Sequence, residues 1–408
     1  MGEKTYKSIK RADILLMVPG FFNSKFPRGI KHEIGNFLNY KIQVAAENEF
    51  AGDELKNNHR ETLGVATIFY KDLSGNINPT KQEIVINILI NKESNYCVLE
   101  LYIPEIKICT HEVLDWYCGN MLLLNISGRT LSLNEYIESI GMSAYGDRRS
   151  LVFVNNEPVC DESLYNLLVN EARPMGAIMG EHFKKLALRN LAQYDTARVY
   201  ASERTMVELV KNPPIDLKER IATQALEVFF VEMLLLQDAA ISRIYSRVKK
   251  LAKEERRKPF SKKTKMEMDE LLSEMIFVYE FANYKQFHYP TVRVSAENVA
   301  KALGVAAIQN KVVQSKSLIK QTMDNNARKL EKRENSIKNI LLIALTLISG
   351  ANTIATVINI MFDDVSLRYA YYIAFFATAV AAVIFLFVLR IFVKFGGRSG
   401  RIRKRSNY

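Results

Sequence analysis

The stretch NILLIALTLISGANTIATVINIMF, Asn339 to Phe362, decides how this chain is first read. It holds 24 residues and no Asp, Glu, Lys or Arg. About 20 such residues suffice for a helix to cross a bilayer. Yet seven hydrogen-bonding side chains interrupt it: Asn339, Thr346, Ser349, Asn352, Thr353, Thr356 and Asn359. On a helix, Asn339, Thr346, Ser349, Thr353 and Thr356 are spaced 7, 3, 4 and 3, which puts them on one face. Asn352 and Asn359 border that face, and Asn335 extends it by a turn. Three arrangements would satisfy them: a polar seam between two spans, a closed oligomeric bundle, or the same bundle with water on its axis. The second span offers few polar partners, so the stripe is expected to line a pore built from several copies.

That second span is YAYYIAFFATAVAAVIFLFVL, from Tyr369, with its tyrosines at one end as in an aromatic belt. Lys338 and Arg333 precede the first span, and Lys394, Arg398 and Arg401 follow the second. Basic flanks stay in the cytoplasm. The expected topology is a membrane hairpin with both chain ends inside, and Asp363 and Asp364 forming acidic rings at the outer mouth. The chain's formal charge of +12 is thus assigned to membrane flanks, with no direct binding of nucleic acid expected.

Ahead of the spans the chain reads as globular. ADILLMV (12–18), GVATIFYKD (64–72), EIVINILIN (83–91), CVLELYI (97–103), NMLLLNIS (120–127) and SLVFVNN (150–156) are short runs rich in β-branched residues, as strands are. EIVINILIN alternates in part, like a half-exposed strand. From Glu162 the pattern turns helical. Segments 215–255 and 263–287 form a helix hairpin around the tip KPFSKK, and Ser295 has the character of an N-cap for a stalk helix that runs on to Phe362. The expected fold class is an α+β cytosolic domain, with a mixed sheet, a long helix hairpin and a stalk helix, joined to a C-terminal two-helix transmembrane hairpin. The expected boundaries are 1–160 for the strand-rich part and 161–293 for the helical part. They continue with 294–338 for the stalk, 339–362 and 369–393 for the spans, 363–368 for the outer loop and 394–408 for a basic tail.

In this order of parts, and in ENSIKNILLIALTLISGANTIATVINIMF (334–362), the chain resembles the CorA family of two-span membrane proteins. The resemblance implies a homopentamer in the bacterial inner membrane with the first spans around its axis. Divalent-cation transporters of the family end that span with Gly-Met-Asn, whereas this chain has Asn359-Ile360-Met361. The departure points to the CorA-like branch found beside type III CRISPR systems. For that branch the implied role is an antiviral ion channel gated by a nucleotide second messenger, a conjugate of S-adenosylmethionine and AMP. The alternative is a transporter of Mg2+ or Co2+ with an altered entrance.

Enzymatic motifs are missing from the sequence. His32, His59, His111, His182 and His288 are scattered without metal-ligand spacing, and neither a P-loop nor GxSxG occurs. Cys97, Cys109, Cys118 and Cys160 form no CxxC pair. The expectation is a non-enzyme. For the ligand, GDRRSLVFVNN (146–156) offers Arg148 and Arg149 as phosphate holders and Asn155 and Asn156 as readers of a base edge.

Overall fold

A computed structural model describes residues 9, 11–23, 26–49, 57–155, 159–168, 185, 187–192, 196–257, 266–267, 270–271, 273–275, 287–361, 369, 372–373, 376 and 380. Ten strands make one sheet. They are β1 (Ala12–Phe22), β2 (Asn58–Lys71), β3 (Ile77–Asn91), β4 (Tyr96–Ile103), β5 (Leu122–Ile126), β6 (Arg129–Ser132), β7 (Met142–Ala144), β8 (Arg149–Asn155), β9 (Ala197–Ala201) and β10 (Thr205–Val210). Their order is β6-β5-β2-β3-β4-β1-β8-β10-β9, with β7 also paired to β1. Only β8 and β10 run parallel; the other pairings are antiparallel. The helices are α1 (Glu33–Glu49), α2 (Thr110–Cys118), α3 (Leu133–Ser139), α4 (Asp161–Leu168), α5 (Leu217–Arg257), α6 (Pro290–Ala302) and α7 (Val305–Met361).

Strand alternation builds two cores. Leu15, Met17, Val85, Leu89, Val98 and Phe153 face α1 and α5. Ile14, Leu16, Ile86, Leu99, Leu101 and Val152 face α2, α3 and α4. The central strands are therefore covered on both sides, which is why they read as nearly unbroken apolar runs. EIVINILIN is an instance. Its residues 84–91 are all buried rather than half-exposed, and Asn87 and Asn91 are polar residues inside the core. Two strands, β9 and β10, lie where the sequence pattern had turned helical.

Pro19 sits in the middle of β1. A proline has no N–H for a sheet ladder. Along one edge, β1 pairs with β8 through Met17 and with β7 from Gly20 on, so Pro19 falls between the two partners. Its carbonyl accepts from Tyr145 N at 3.0 Å.

Other corrections concern the helices. Ser295 is buried inside α6, whose N-cap is Tyr289 with Pro290 just after it; the fixed φ of proline suits a first helical turn. The stalk breaks at Gly304, whose φ of +83° lies in the left-handed region. In the expected hairpin, Glu270 and Glu274 form ion pairs with Arg243 and Arg247 of α5, while the tip KPFSKK lies outside the described residues.

The membrane hairpin is not supported. Among the described residues no helix is long and apolar enough to cross a membrane. The fold is instead a mixed α/β fold around one large sheet. The transmembrane fold class, the membrane-protein and ion-channel assignments and the inner-membrane location are all corrected on this ground. Residues 363–368, including Asp363 and Asp364, the tail 394–408 and most of 369–393 lie outside the described residues. Two compact units are present, Met1–Gln321 and Thr322–Tyr408.

The core beneath α5 contains charge. Arg60 of β2 forms a bidentate pair with Glu232 of α5, and Glu100 of β4 lies 3.8 Å from the same guanidinium. Glu100 is fully buried, and burial together with the Glu232 carboxylate pushes its carboxyl well above the ordinary value of 4.5. Because the native state holds that proton more tightly than the unfolded chain, the stabilisation is complete below about pH 4.5 and is lost as pH rises toward the native pKa. Glu100→Gln keeps the neutral shape and removes this titration. Thermal melts of both proteins between pH 5 and 8 should show the variant gaining on the parent by up to about 1.4 kcal/mol per pH unit. A difference independent of pH would refute a protonated Glu100.

Candidate functional site

Asp13 lies within the apolar run of β1 and is wholly buried. A carboxylate in such a place needs donors, and four reach it. Its Oδ2 accepts from Arg220 Nε at 3.1 Å, Gln224 Nε2 at 2.8 Å and Asn155 Nδ2 at 3.1 Å. Its Oδ1 accepts from the Glu105 backbone N–H at 2.8 Å. Arg220 also donates to the Ile215 carbonyl and to Glu105 Oε1, each at 2.7 Å. Burial opposes the Arg220 charge, but Asp13 and Glu105 outweigh it and raise its pKa. Burial, then the Asp13 charge, pushes the Tyr102 phenol well above its ordinary value, and its hydroxyl makes no hydrogen bond among the described residues.

Sheet topology explains the location. Asn155 ends β8, and its register partner Val210 ends the parallel neighbour β10. The chain then passes through Pro213, Pro214 and Ile215 into α5. Asp216 caps this helix by accepting from Lys218 N at 2.9 Å and Glu219 N at 3.1 Å. The carboxyl ends of parallel strands form a crevice where ligands bind in open α/β sheets. Here that crevice is a cavity of about 360 Å³, within the roughly 300–1,000 Å³ range of small-molecule sites.

Arg11, Glu105, Asn155 and Arg220 supply the polar lining, and Pro213, Pro214 and Ile215 an apolar lip. Arg220 is committed to its carboxylates. Arg11 is exposed at the rim and forms no ion pair among the described residues. Asn155 Oδ1 is buried without a hydrogen-bond partner there. Glu105 has a φ of +46°, a conformation that costs a non-glycine residue about 1–3 kcal/mol; its two bonds to Asp13 and Arg220 hold it there. The cavity thus presents a cation, an unsatisfied amide acceptor, a carboxylate and a flat apolar wall. This suits binding of a molecule with an anionic group, a hydrogen-bond donor and an apolar ring.

The residues proposed from sequence are divided by the structure. Arg148 and Arg149 stand at the start of β8 and Asn155 at its end, roughly 20 Å apart at about 3.3 Å per residue. They cannot hold one small ligand together. Arg149 is buried and donates to the Leu303 carbonyl at 3.2 Å, a link to the end of α6. Asn155 belongs to the cavity, and Asn156 lies outside the described residues. On α7, Asn335, Asn339, Thr346, Ser349, Thr353 and Thr356 are exposed, while the side chains of Asn352 and Asn359 lie outside the described ones. Thr346 donates to the Leu342 carbonyl at 2.8 Å and Thr353 to that of Ser349 at 2.9 Å. These hydroxyls bond their own helix and need no facing partner. For the expected Mg2+, no group of three or more His, Cys, Asp or Glu able to hold a metal occurs among the described residues.

Sequence reasoning missed Asp13, Arg220 and Gln224. The available signal was the single acid in ADILLMV, since a buried carboxylate must have partners. Asp13→Ala takes from Arg220 its buried partner, leaving it only Glu105 and the Ile215 carbonyl, strands the Gln224 and Asn155 amides, and should cost about 3–5 kcal/mol in urea denaturation. Asp13→Asn keeps an acceptor and should cost less. Equal, small losses in both would show that the network is not stabilising.

Comparisons with protein-family models, curated proteins and solved structures find no match to this chain.

Proposed function

We propose that the chain is a non-enzymatic, homo-oligomeric sensor of a nucleotide second messenger, serving antiviral defence beside a type III CRISPR system. The messenger proposed is the S-adenosylmethionine–AMP conjugate. The observation that carries the reading is the 360 Å³ cavity with Arg11, Asn155 and the Asp13–Arg220 pair at the carboxyl ends of β8 and β10. Arg11 would meet a phosphate, Asn155 Oδ1 a base or ribose donor, and Pro213, Pro214 and Ile215 the apolar face of a base. The choice of messenger follows from the resemblance to the CorA family and from Asn359-Ile360-Met361 standing where that family has Gly-Met-Asn.

Arg220 lies in the first turn of α5, a helix of 41 residues. A ligand that shifts the start of this helix shifts a rod roughly 60 Å long. The response would end in assembly. Ile337, Ile340, Leu341, Leu342, Ile343 and Leu345 of α7 are exposed apolar residues in close succession. Such a surface calls for cover, and the same segment of further copies would supply it.

The test is calorimetric titration of the purified full-length chain with the conjugate, against ATP and S-adenosylmethionine as controls. The conjugate should bind selectively. Arg11→Ala and Asn155→Ala should each weaken it by about 10-fold or more, the scale of one charge-assisted or buried hydrogen bond; Arg11→Ala should leave the melting temperature unchanged, whereas Asn155→Ala also removes a donor to Asp13 and should lower it. Absence of binding, or affinity unchanged from the parent in both variants, would overturn the assignment.

A further inference from the structure

The other end of the β8–β10 pair holds a second cavity, of about 340 Å³. Four segments meet there: the end of α2 with the turn after it, the start of α3, the β7–β8 loop and the β9–β10 turn. Its polar residues are Arg148, Arg204, Asn120, Asn134 and Asp147. Arg148 is half-buried and held in place by two neutral amides. It donates through Nη1 to Asn120 Oδ1 at 2.7 Å and through Nη2 to Asn134 Oδ1 at 2.6 Å. Its guanidinium also lies 5.6 Å from the centre of the Tyr117 ring. Among the described residues neither Arg148 nor Arg204 is within ion-pair distance of a carboxylate.

These bonds fix the chemistry of the cavity. With its oxygen occupied by Arg148, each asparagine is left with its amide N–H groups to offer. Two guanidiniums and two amides therefore make the lining rich in donors, and Asp147 adds a single acceptor. The loop carrying Asp147 and Arg148 is itself fixed. Asp147 N donates to Asp238 Oδ2 of α5 at 2.8 Å. Gly146 has a φ of +92°, and a Cβ there would come within 2.8 Å of the Asp238 carboxylate. Only glycine allows so close an approach.

We propose that this cavity is a second binding site, for a small phosphorylated polyol such as a sugar phosphate. Arg148 and Arg204 clamp the phosphate, because planar guanidiniums match its oxygens. Asp147 accepts from a hydroxyl of the same molecule. The site stands apart from the Asp13–Arg220 cavity and does not rest on the function proposed for it.

Ribose 5-phosphate and inorganic phosphate are the probes, titrated into the purified full-length chain at low salt with heat and 31P NMR as readouts. Both should saturate a single site. Arg148→Ala and Arg204→Ala should each weaken them at least 10-fold. Arg204 lies on the exposed β9–β10 turn, where its carbonyl rather than its side chain holds Ser150 N, so its variant should fold normally. Asp147→Asn should weaken ribose 5-phosphate but tighten inorganic phosphate, since it removes a negative charge and keeps the backbone bond to Asp238. Arg11→Ala, in the other cavity, should change neither. Failure of both probes to saturate, or affinities indifferent to Arg148→Ala and Arg204→Ala, would overturn the proposal.

Discussion

One buried carboxylate organises the first unit. Asp13 binds an interior strand of the sheet to the helix that covers it, through Arg220 and Gln224. The same carboxylate gathers the end of β8 through Asn155 and the turn after β4 through Glu105. Three segments far apart in sequence converge on its two oxygens. A buried charge is costly to strand, so the arrangement tolerates few alternatives. α5 cannot slide along the sheet by a turn without leaving Asp13 unpaired. The carboxyl ends of β8 and β10 are thereby held open beside the start of α5, and the cavity occupies the gap.

The same helix covers a second polar cluster. Glu232 of α5 reaches Arg60 on β2, beside Glu100 on β4. The two clusters lie on the same face of the sheet and differ in kind. Around Asp13 the donors outnumber the carboxylates. Around Arg60 two carboxylates share one cation, and burial beside Glu232 raises the pKa of the Glu100 carboxyl. The apolar residues between them, Met17, Tyr102 and Phe229 among them, supply the bulk of the burial. Polar pairs fix the register of helix on sheet, a role better suited to buried charge than raw stabilisation is.

How much of this could be read from sequence depended on the physics behind each element. The strands from ADILLMV to SLVFVNN were legible because burial on both faces demands apolar, β-branched runs. ARVYA and TMVELV were not, being short and set among polar residues, with Arg198 exposed in one and Glu208 buried in the other. EIVINILIN misled because Asn87 and Asn91 imitate the alternation of a half-exposed strand. Ser295 misled because its type suits a cap, while the position of Pro290 decided the start. The polar stripe on α7 is real as a spacing, yet Thr346 and Thr353 bond backwards along their own helix, which periodicity does not reveal. Of the candidate site, Asn155 was found and Asp13 was not. Its partner Arg220 lies 207 positions away, and no local pattern links the two.

Pro19 never touches the second cavity, yet it accounts for where that cavity is. The carbonyl of this residue points toward the β7–β8 edge, so the missing hydrogen would have pointed there too. A continuous strand along that edge would have one acceptor with nothing to accept. The chain avoids the mismatch by leaving the sheet at Tyr145 and returning at Arg149. The detour sets Gly146 and Asp147 against Asp238 of α5 and turns Arg148 toward α2 and α3. A single absent proton in an interior strand thus becomes an opening at the rim. Restoring it would favour an uninterrupted β7–β8 ribbon, with no loop left to carry the arginine.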